Sequence, residues 1–135
     1  MILVGMKAKP LRKGEDGRME ACEAAQATHV LIKIPGPTGN VLLPVVTGNT
    51  SRINTGCWSW NGDTEKPTLK PSLRTEGLMP MSDREIERLK AGHQVSPQPF
   101  VCHIWVTNGE AYFLSDTTHS LVNETHPLLD AVWNG

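Results

Sequence analysis

The sequence predicts a small α+β domain built mainly of antiparallel strands with one short helix, and three observations carry that expectation. β-Branched and aromatic residues gather in short runs rather than in helical stripes. Asn-Gly dipeptides, which accept the positive φ angles of tight turns, stand at 61–62 and 108–109. Only one segment, 82–92, carries both a helix start signal and a stop signal.

Along the chain, residues 7–20 are charged, contain Gly14 and Gly17 and show no apolar period, so residues 1–20 read as a mobile N-terminal arm and 21–135 as a single β-rich domain. Ala21–Ala27 has room for a turn or two of helix. Thr28–Ile34 is a β-branched run ended by Pro35-Gly-Pro-Thr-Gly39, and Val41–Val46 follows as the second strand of a hairpin, with Pro44 pointing to an edge. The stretch Arg52–Trp60 then leads into Asn61-Gly62. Ser82-Asp-Arg-Glu85 matches a capping box, Ile86 and Leu89 supply an i, i+3 apolar stripe, and Gly92 is placed to end the helix. This helix, from about 83 to 91, reads as a lid or insert beside the sheet, with a solvated charged face.

Phe100–Thr107 and Glu110–Asp116 flank Asn108-Gly109, the strongest hairpin signal in the chain. A two-residue turn sets Thr107 opposite Glu110, Trp105 opposite Tyr112, His103 opposite Leu114 and Val101 opposite Asp116. His103 and Asp116 become diagonal neighbours on one face, roughly 7 to 8 Å apart in backbone. Cys102, Ile104, Val106, Ala111 and Phe113 point the other way, toward the core.

His119 lies three residues beyond Asp116 and is expected to fold back toward the same spot. Two imidazoles and a carboxylate form the ligand set of an open zinc site, where a bound water becomes a nucleophile near neutral pH. A metal-free pair in which Asp116 orients His103 for general-base work uses the same residues. An ordinary cross-strand pair is the structural alternative. Cysteine catalysis by Cys102 with His103 is the weakest option, since neighbouring strand residues face opposite sides.

Trp58 and Trp60 share a strand face and are expected in the core. A functional alternative makes them a pocket wall, with Asn61, Thr68 and Ser72 presenting polar groups to a ligand and Pro67 and Pro71 stiffening the loop.

Thirteen basic against fourteen acidic residues leave a net charge of −1, which argues against nucleic acid as a partner. No apolar run is long enough to span a bilayer, and the apolar opening lacks the basic lead of a signal peptide, so a cytoplasmic location is expected. Cys22, Cys57 and Cys102 would then stay reduced, and their spacing fits neither a disulfide framework nor a zinc knuckle.

Taken together, Trp58-Ser-Trp-Asn-Gly62, Pro67-Thr-Leu-Lys-Pro-Ser72, Cys102-His103 and Phe113-Leu-Ser-Asp116 with His119 resemble a family of small phage and prophage proteins often labelled ammonia monooxygenase. The resemblance spans about residues 57–129. Relatives of that family stand beside bacterial ubiquitin-like conjugation genes, which implies metal-dependent peptidase or isopeptidase work, in the host cytoplasm if the chain is phage-encoded. Where the family pattern runs Asp-Cys-x-His, this chain has Asp116-Thr117-Thr118-His119. His103, Asp116, His119 and Cys102 remain as zinc ligand candidates. The expectation is a metal-dependent hydrolase of amide or isopeptide bonds. Its alternative is a non-enzymatic module that engages a host or phage protein, with a protein or peptide partner in either case.

Overall fold

In a computed structural model, which describes residues 6–47, 56–78, 81–96 and 98–133, the chain forms a nine-stranded, mostly antiparallel sheet with one short helix. The strands are β1 (Ala8–Lys13), β2 (Met19–Ala21), β3 (His29–Ile34), β4 (Gly39–Thr47), β5 (Trp58–Trp60), β6 (Leu69–Leu78), β7 (Pro99–Thr107), β8 (Glu110–Phe113) and β9 (Thr125–Pro127). Their spatial order is β2-β1-β3-β4-β5-β6-β7-β8-β9, and only β4 and β5 run parallel. The sheet curls on itself. Leu129 bridges Lys33 of β3, and the Ala131 N–H donates to the Met6 carbonyl, so the C-terminal segment meets the β1/β3 end.

Period-2 alternation sends one face of this curl inward. Val30, Ile32 and Ile34 of β3, Leu43 and Val45 of β4, Trp60, Leu69 and Leu73, and Cys102, Ile104, Val106, Ala111 and Phe113 form the main core. Leu31 points to the opposite face and joins Leu11 and Ala131 in a smaller cluster, which explains the unbroken apolar run of β3.

The segment 7–20, expected as an arm because it lacks an apolar period, instead contains β1 and β2. Ala8 and Leu11 are fully buried there, and β1 pairs with β3 from Ala8↔Ile32 to Leu11↔His29. Its pattern was masked because Pro10 and the two buried residues are interleaved with lysines and arginine.

The hairpins follow the turn chemistry. β3 and β4 pair from His29↔Pro44 to Ile34↔Gly39 around the Pro35–Thr38 loop. β4 is internal in the strand order rather than an edge strand. Yet its pairing with β5 starts only at Val45↔Trp58. The Val45 N–H donates toward β3, to the Thr28 carbonyl, so the ring nitrogen of Pro44 lies on the opposite edge, where no described residue pairs. Residues 52–55 of the Arg52–Trp60 stretch lie outside the described residues.

The helix α1 (Asp83–Lys90) carries the expected capping box, with the Glu85 N–H donating to the Ser82 hydroxyl and the Ser82 N–H to the Glu85 carboxylate. It buries no residue, and Ile86 and Leu89 are both exposed. A short 3-10 turn, Ala24–Gln26, stands where a turn of helix was expected.

Candidate active site

The β7–β8 hairpin has the register its turn dictates, with Thr107↔Glu110 and Trp105↔Tyr112. Asn108 and Gly109 take φ of 50° and 79°, the left-handed pair such a turn needs. Past Phe113 the ladder changes. The Leu114 N–H still donates to the His103 carbonyl, but the chain then turns through Ser115 and Asp116, and it is the Thr118 N–H that reaches the Val101 carbonyl. Asp116 sits at this turn, not opposite Val101. Its carboxylate nonetheless accepts from His103 Nδ1 at 3.0 and 3.1 Å.

On the other side of His103 stands Ser72. β6 pairs with β7 at Leu69↔Val106 and resumes at Leu73↔Ile104, so three residues of β6, Lys70, Pro71 and Ser72, oppose one residue of β7. A bulge of this kind re-aims side chains. Pro71 has no N–H to give a ladder, so the sequence favours the irregularity at this position. The Ser72 hydroxyl lies 2.8 Å from His103 Nε2. Ser72, His103 and Asp116 thus form a continuous hydrogen-bonded relay on the solvent-facing side of the sheet. With Nδ1–H donating to the carboxylate, Nε2 is the acceptor for the hydroxyl proton.

Arg74, which pairs with His103 across the β6–β7 ladder, completes the surroundings. Its Nε lies 3.5 Å from Asp116 Oδ2, and its guanidinium also meets Glu76. Partial desolvation pushes the Asp116 carboxyl up, but the hydrogen bond and charge of His103, helped by Arg74, outweigh it and hold the carboxyl below its usual range. The group stays ionised at neutral pH.

The four proposed metal ligands are not brought together. His103 and Asp116 lie on the outer face, whereas Cys102 and His119 lie on the inner one. His119 is buried, packed edge-on against Phe113 at 5.0 Å and stacked on Phe100 at 6.0 Å, with Nε2 3.4 Å from Cys102 Sγ. The reason is the same alternation that put Cys102 in the core. His119 follows a turn that carries the chain back across the end of β7 to the inner side. Among the described residues no group of three His, Cys, Asp or Glu side chains could hold a metal ion. Burial also pushes the Cys102 thiol up and the His119 imidazole down, so both are neutral and the pair lacks the thiolate a cysteine nucleophile needs.

Of the residues expected to line a ligand pocket, only Ser72 reaches the hairpin site. Trp60 is buried in the core, its indole N–H donating to the Asp63 carbonyl, and half-buried Trp58 packs against the same core. The Asn61 side chain braces its own turn, accepting from the Asp63 and Thr68 N–H groups and donating to the Lys66 carbonyl. The Thr68 hydroxyl accepts from the Asn108 N–H, tying this turn to the β7–β8 hairpin. The closeness of Ser72 to His103 was not foreseen, because a lone serine has no periodic signature. The available signal was a proline before a serine inside a strand run, which marks a bulge.

A hydroxyl, an imidazole and a carboxylate linked in this order define the nucleophile, base and orienting group of a serine hydrolase. The comparison with family models agrees with that class. Residues 23–114, about two thirds of the chain, match the model described as bacterial ubiquitination-like system serine protease (BubE), and the chain belongs to this family. The matched region contains Ser72 and His103 and ends two residues before Asp116. No curated protein and no solved structure matches the chain. The expectation of a metal-dependent hydrolase is therefore corrected. The family is a serine protease family, and the supposed ligands are divided between two faces of the sheet. Membership in a ubiquitination-like system implies protein partners. Among the described residues no helix is long and apolar enough to cross a membrane.

Proposed function

We propose that this chain hydrolyses acyl bonds of a ubiquitin-like protein or its conjugates, with Ser72 as nucleophile, His103 as general base and then acid, and Asp116 as the group that orients His103. The observation that carries this reading is the relay itself, 2.8 Å from Ser72 Oγ to His103 Nε2 and 3.0 Å from Nδ1 to Asp116. Both lie in the hydrogen-bonding range that proton transfer requires.

The reaction proceeds by acyl transfer. Ser72 Oγ attacks the substrate carbonyl while its proton passes to His103 Nε2. Asp116 holds the Nδ1 proton and stabilises the imidazolium that forms, remaining ionised throughout. His103 then protonates the leaving amine or alcohol, giving an ester on Ser72. Water, deprotonated by the same Nε2, cleaves that ester and restores the hydroxyl. An amide, isopeptide or ester bond all suit this sequence of steps, since each leaves the same Ser72 ester.

A small alkyl fluorophosphonate tests the assignment, because it phosphonylates serines activated by a neighbouring base. Intact mass and peptide mapping should show one adduct, on Ser72. Ser72→Ala should abolish it and His103→Ala should reduce it at least about a hundredfold, the usual scale of general-base assistance. An adduct elsewhere, or undiminished labelling of His103→Ala, overturns the proposal.

A further inference from the structure

β8 leaves the ladder after Phe113, yet β7 keeps main-chain partners at His103 and Val101. In an uninterrupted antiparallel pair His103 and Leu114 would exchange two bonds. One is made, from the Leu114 N–H to the His103 carbonyl at 2.7 Å. The Leu114 carbonyl instead accepts from the Thr117 N–H at 3.0 Å, which closes the four-residue turn that carries Asp116. The His103 N–H goes to the Thr117 hydroxyl at 3.1 Å, and the same hydroxyl donates to the His103 carbonyl, also at 3.1 Å. A hydroxyl can do both, being donor and acceptor at once. Thr118 repeats the device at Val101, where its N–H donates to the carbonyl at 2.9 Å and its hydroxyl accepts from the N–H at 3.0 Å.

The turn therefore meets His103 twice. Its Asp116 carboxylate accepts from Nδ1 at 3.0 Å, and its Thr117 hydroxyl grips the main chain of the same residue. The two grips differ in setting, since the Asp116 side chain is 46% exposed whereas Thr117 is only 5% exposed. The buried end is the anchor. Branching at Cβ restricts χ1 of a threonine, so the hydroxyl is held where both main-chain groups of His103 reach it. Without it the His103 N–H would lose its acceptor, and an unpaired main-chain donor draws the neighbouring chain aside to admit water. Asp116, one peptide away, would move with that chain.

Building on the serine hydrolase assignment, we infer that Thr117 is a positioning residue for the general base, its hydroxyl clamping the Asp116 turn to the main chain of His103 and so fixing the carboxylate against Nδ1. It acts on the reaction through Asp116. Thr118, clamped to Val101 in the same way, belongs to the frame alone.

Labelling of Ser72 by the alkyl fluorophosphonate, followed by mass on the intact protein, tests this, with circular dichroism checking each fold. Thr117→Val keeps the side-chain shape and deletes the hydroxyl. It should slow labelling about tenfold or more, because a misplacement on the order of 1 Å costs up to about a hundredfold. Thr117→Ala, which deletes the same hydroxyl with less bulk, should do likewise, so the result does not hang on the folding of one variant. Thr117→Ser restores the hydroxyl and should label close to the wild-type rate. Thr118→Val should also label close to that rate, whatever its urea midpoint. In an Asp116→Asn background Thr117→Val should slow labelling no further, since both changes then remove one contact. Wild-type rates in both hydroxyl-free variants, a Thr117→Ser as slow as Thr117→Val, or equal losses in Thr117→Val and Thr118→Val overturn the positioning role while leaving Ser72 as nucleophile. So does a full loss that persists in the Asp116→Asn background. Failure of wild-type Ser72 to label overturns the catalytic reading, and the positioning role with it.

Discussion

Replacing Asp116 by Asn removes one charge and almost no volume, and so isolates what the carboxylate does for His103. In the wild type both carboxylate oxygens lie within 3.1 Å of Nδ1, so the neutral imidazole carries its proton there and offers the Nε2 lone pair to Ser72 at 2.8 Å. An asparagine amide can instead donate to Nδ1. That selects the tautomer protonated at Nε2, which cannot accept the serine proton. In a buried triad the equivalent change costs about 10⁴-fold in kcat. Here the Asp116 side chain is 46% exposed, and Arg74 shares the carboxylate. Water can then support the productive tautomer part of the time, and the expected loss is about 10² to 10³-fold. Single-turnover labelling of Ser72 by the fluorophosphonate measures it, with circular dichroism confirming the fold. The paired change Asp116→Asn with His103→Ala should label Ser72 no more slowly than His103→Ala alone, because residues acting as a unit are not additive. Asp116→Asn within threefold of wild type would refute the orienting role.

Two further predictions concern the frame around the site. A Cβ on Gly109 would lie 3.0 Å from the Glu65 carbonyl oxygen and 3.2 Å from Lys66 Cα, at a φ of +79°, so Gly109→Ala combines left-handed strain with a backbone clash. It should cost about 2 kcal/mol or more, read as a lower urea midpoint, and an unchanged midpoint would show that the turn can relax. Burial holds the His119 imidazole below its ordinary value, so in mild acid the unfolded chain takes up a proton that the folded one refuses. Stability should fall as pH drops from about 6.5, the unfolded value, toward the lower folded one. His119→Gln should flatten that slope in denaturant melts at pH 7.5 and 5.5. His29, also lowered by burial, acts in the same window, so some slope persists. A wild type equally stable at both pH values would contradict the buried neutral His119.

Features that depend on near neighbours were legible along the chain. Asn108-Gly109 dictated a turn, the turn dictated the register, and the register placed Cys102, Ile104 and Val106 inside and His103 and Trp105 outside. The Ser82–Glu85 capping box and the β3–β4 hairpin were legible for the same reason, each being set by contacts between residues close in the chain, the hairpin's pairing starting at Ile34↔Gly39. Which distant groups share a face follows from the folded chain alone. Ser72 meets His103 across 31 positions because a three-against-one bulge in β6 lifts it from the ladder, and no local pattern states where that bulge will fall opposite β7. His119 parts from His103 because a turn after Asp116 returns the chain to the inner side, where Phe100 and Phe113 offer an apolar berth. A ligand set counted along the sequence became two sites on opposite faces, since side chains on a sheet are sorted by parity and bulges change the count.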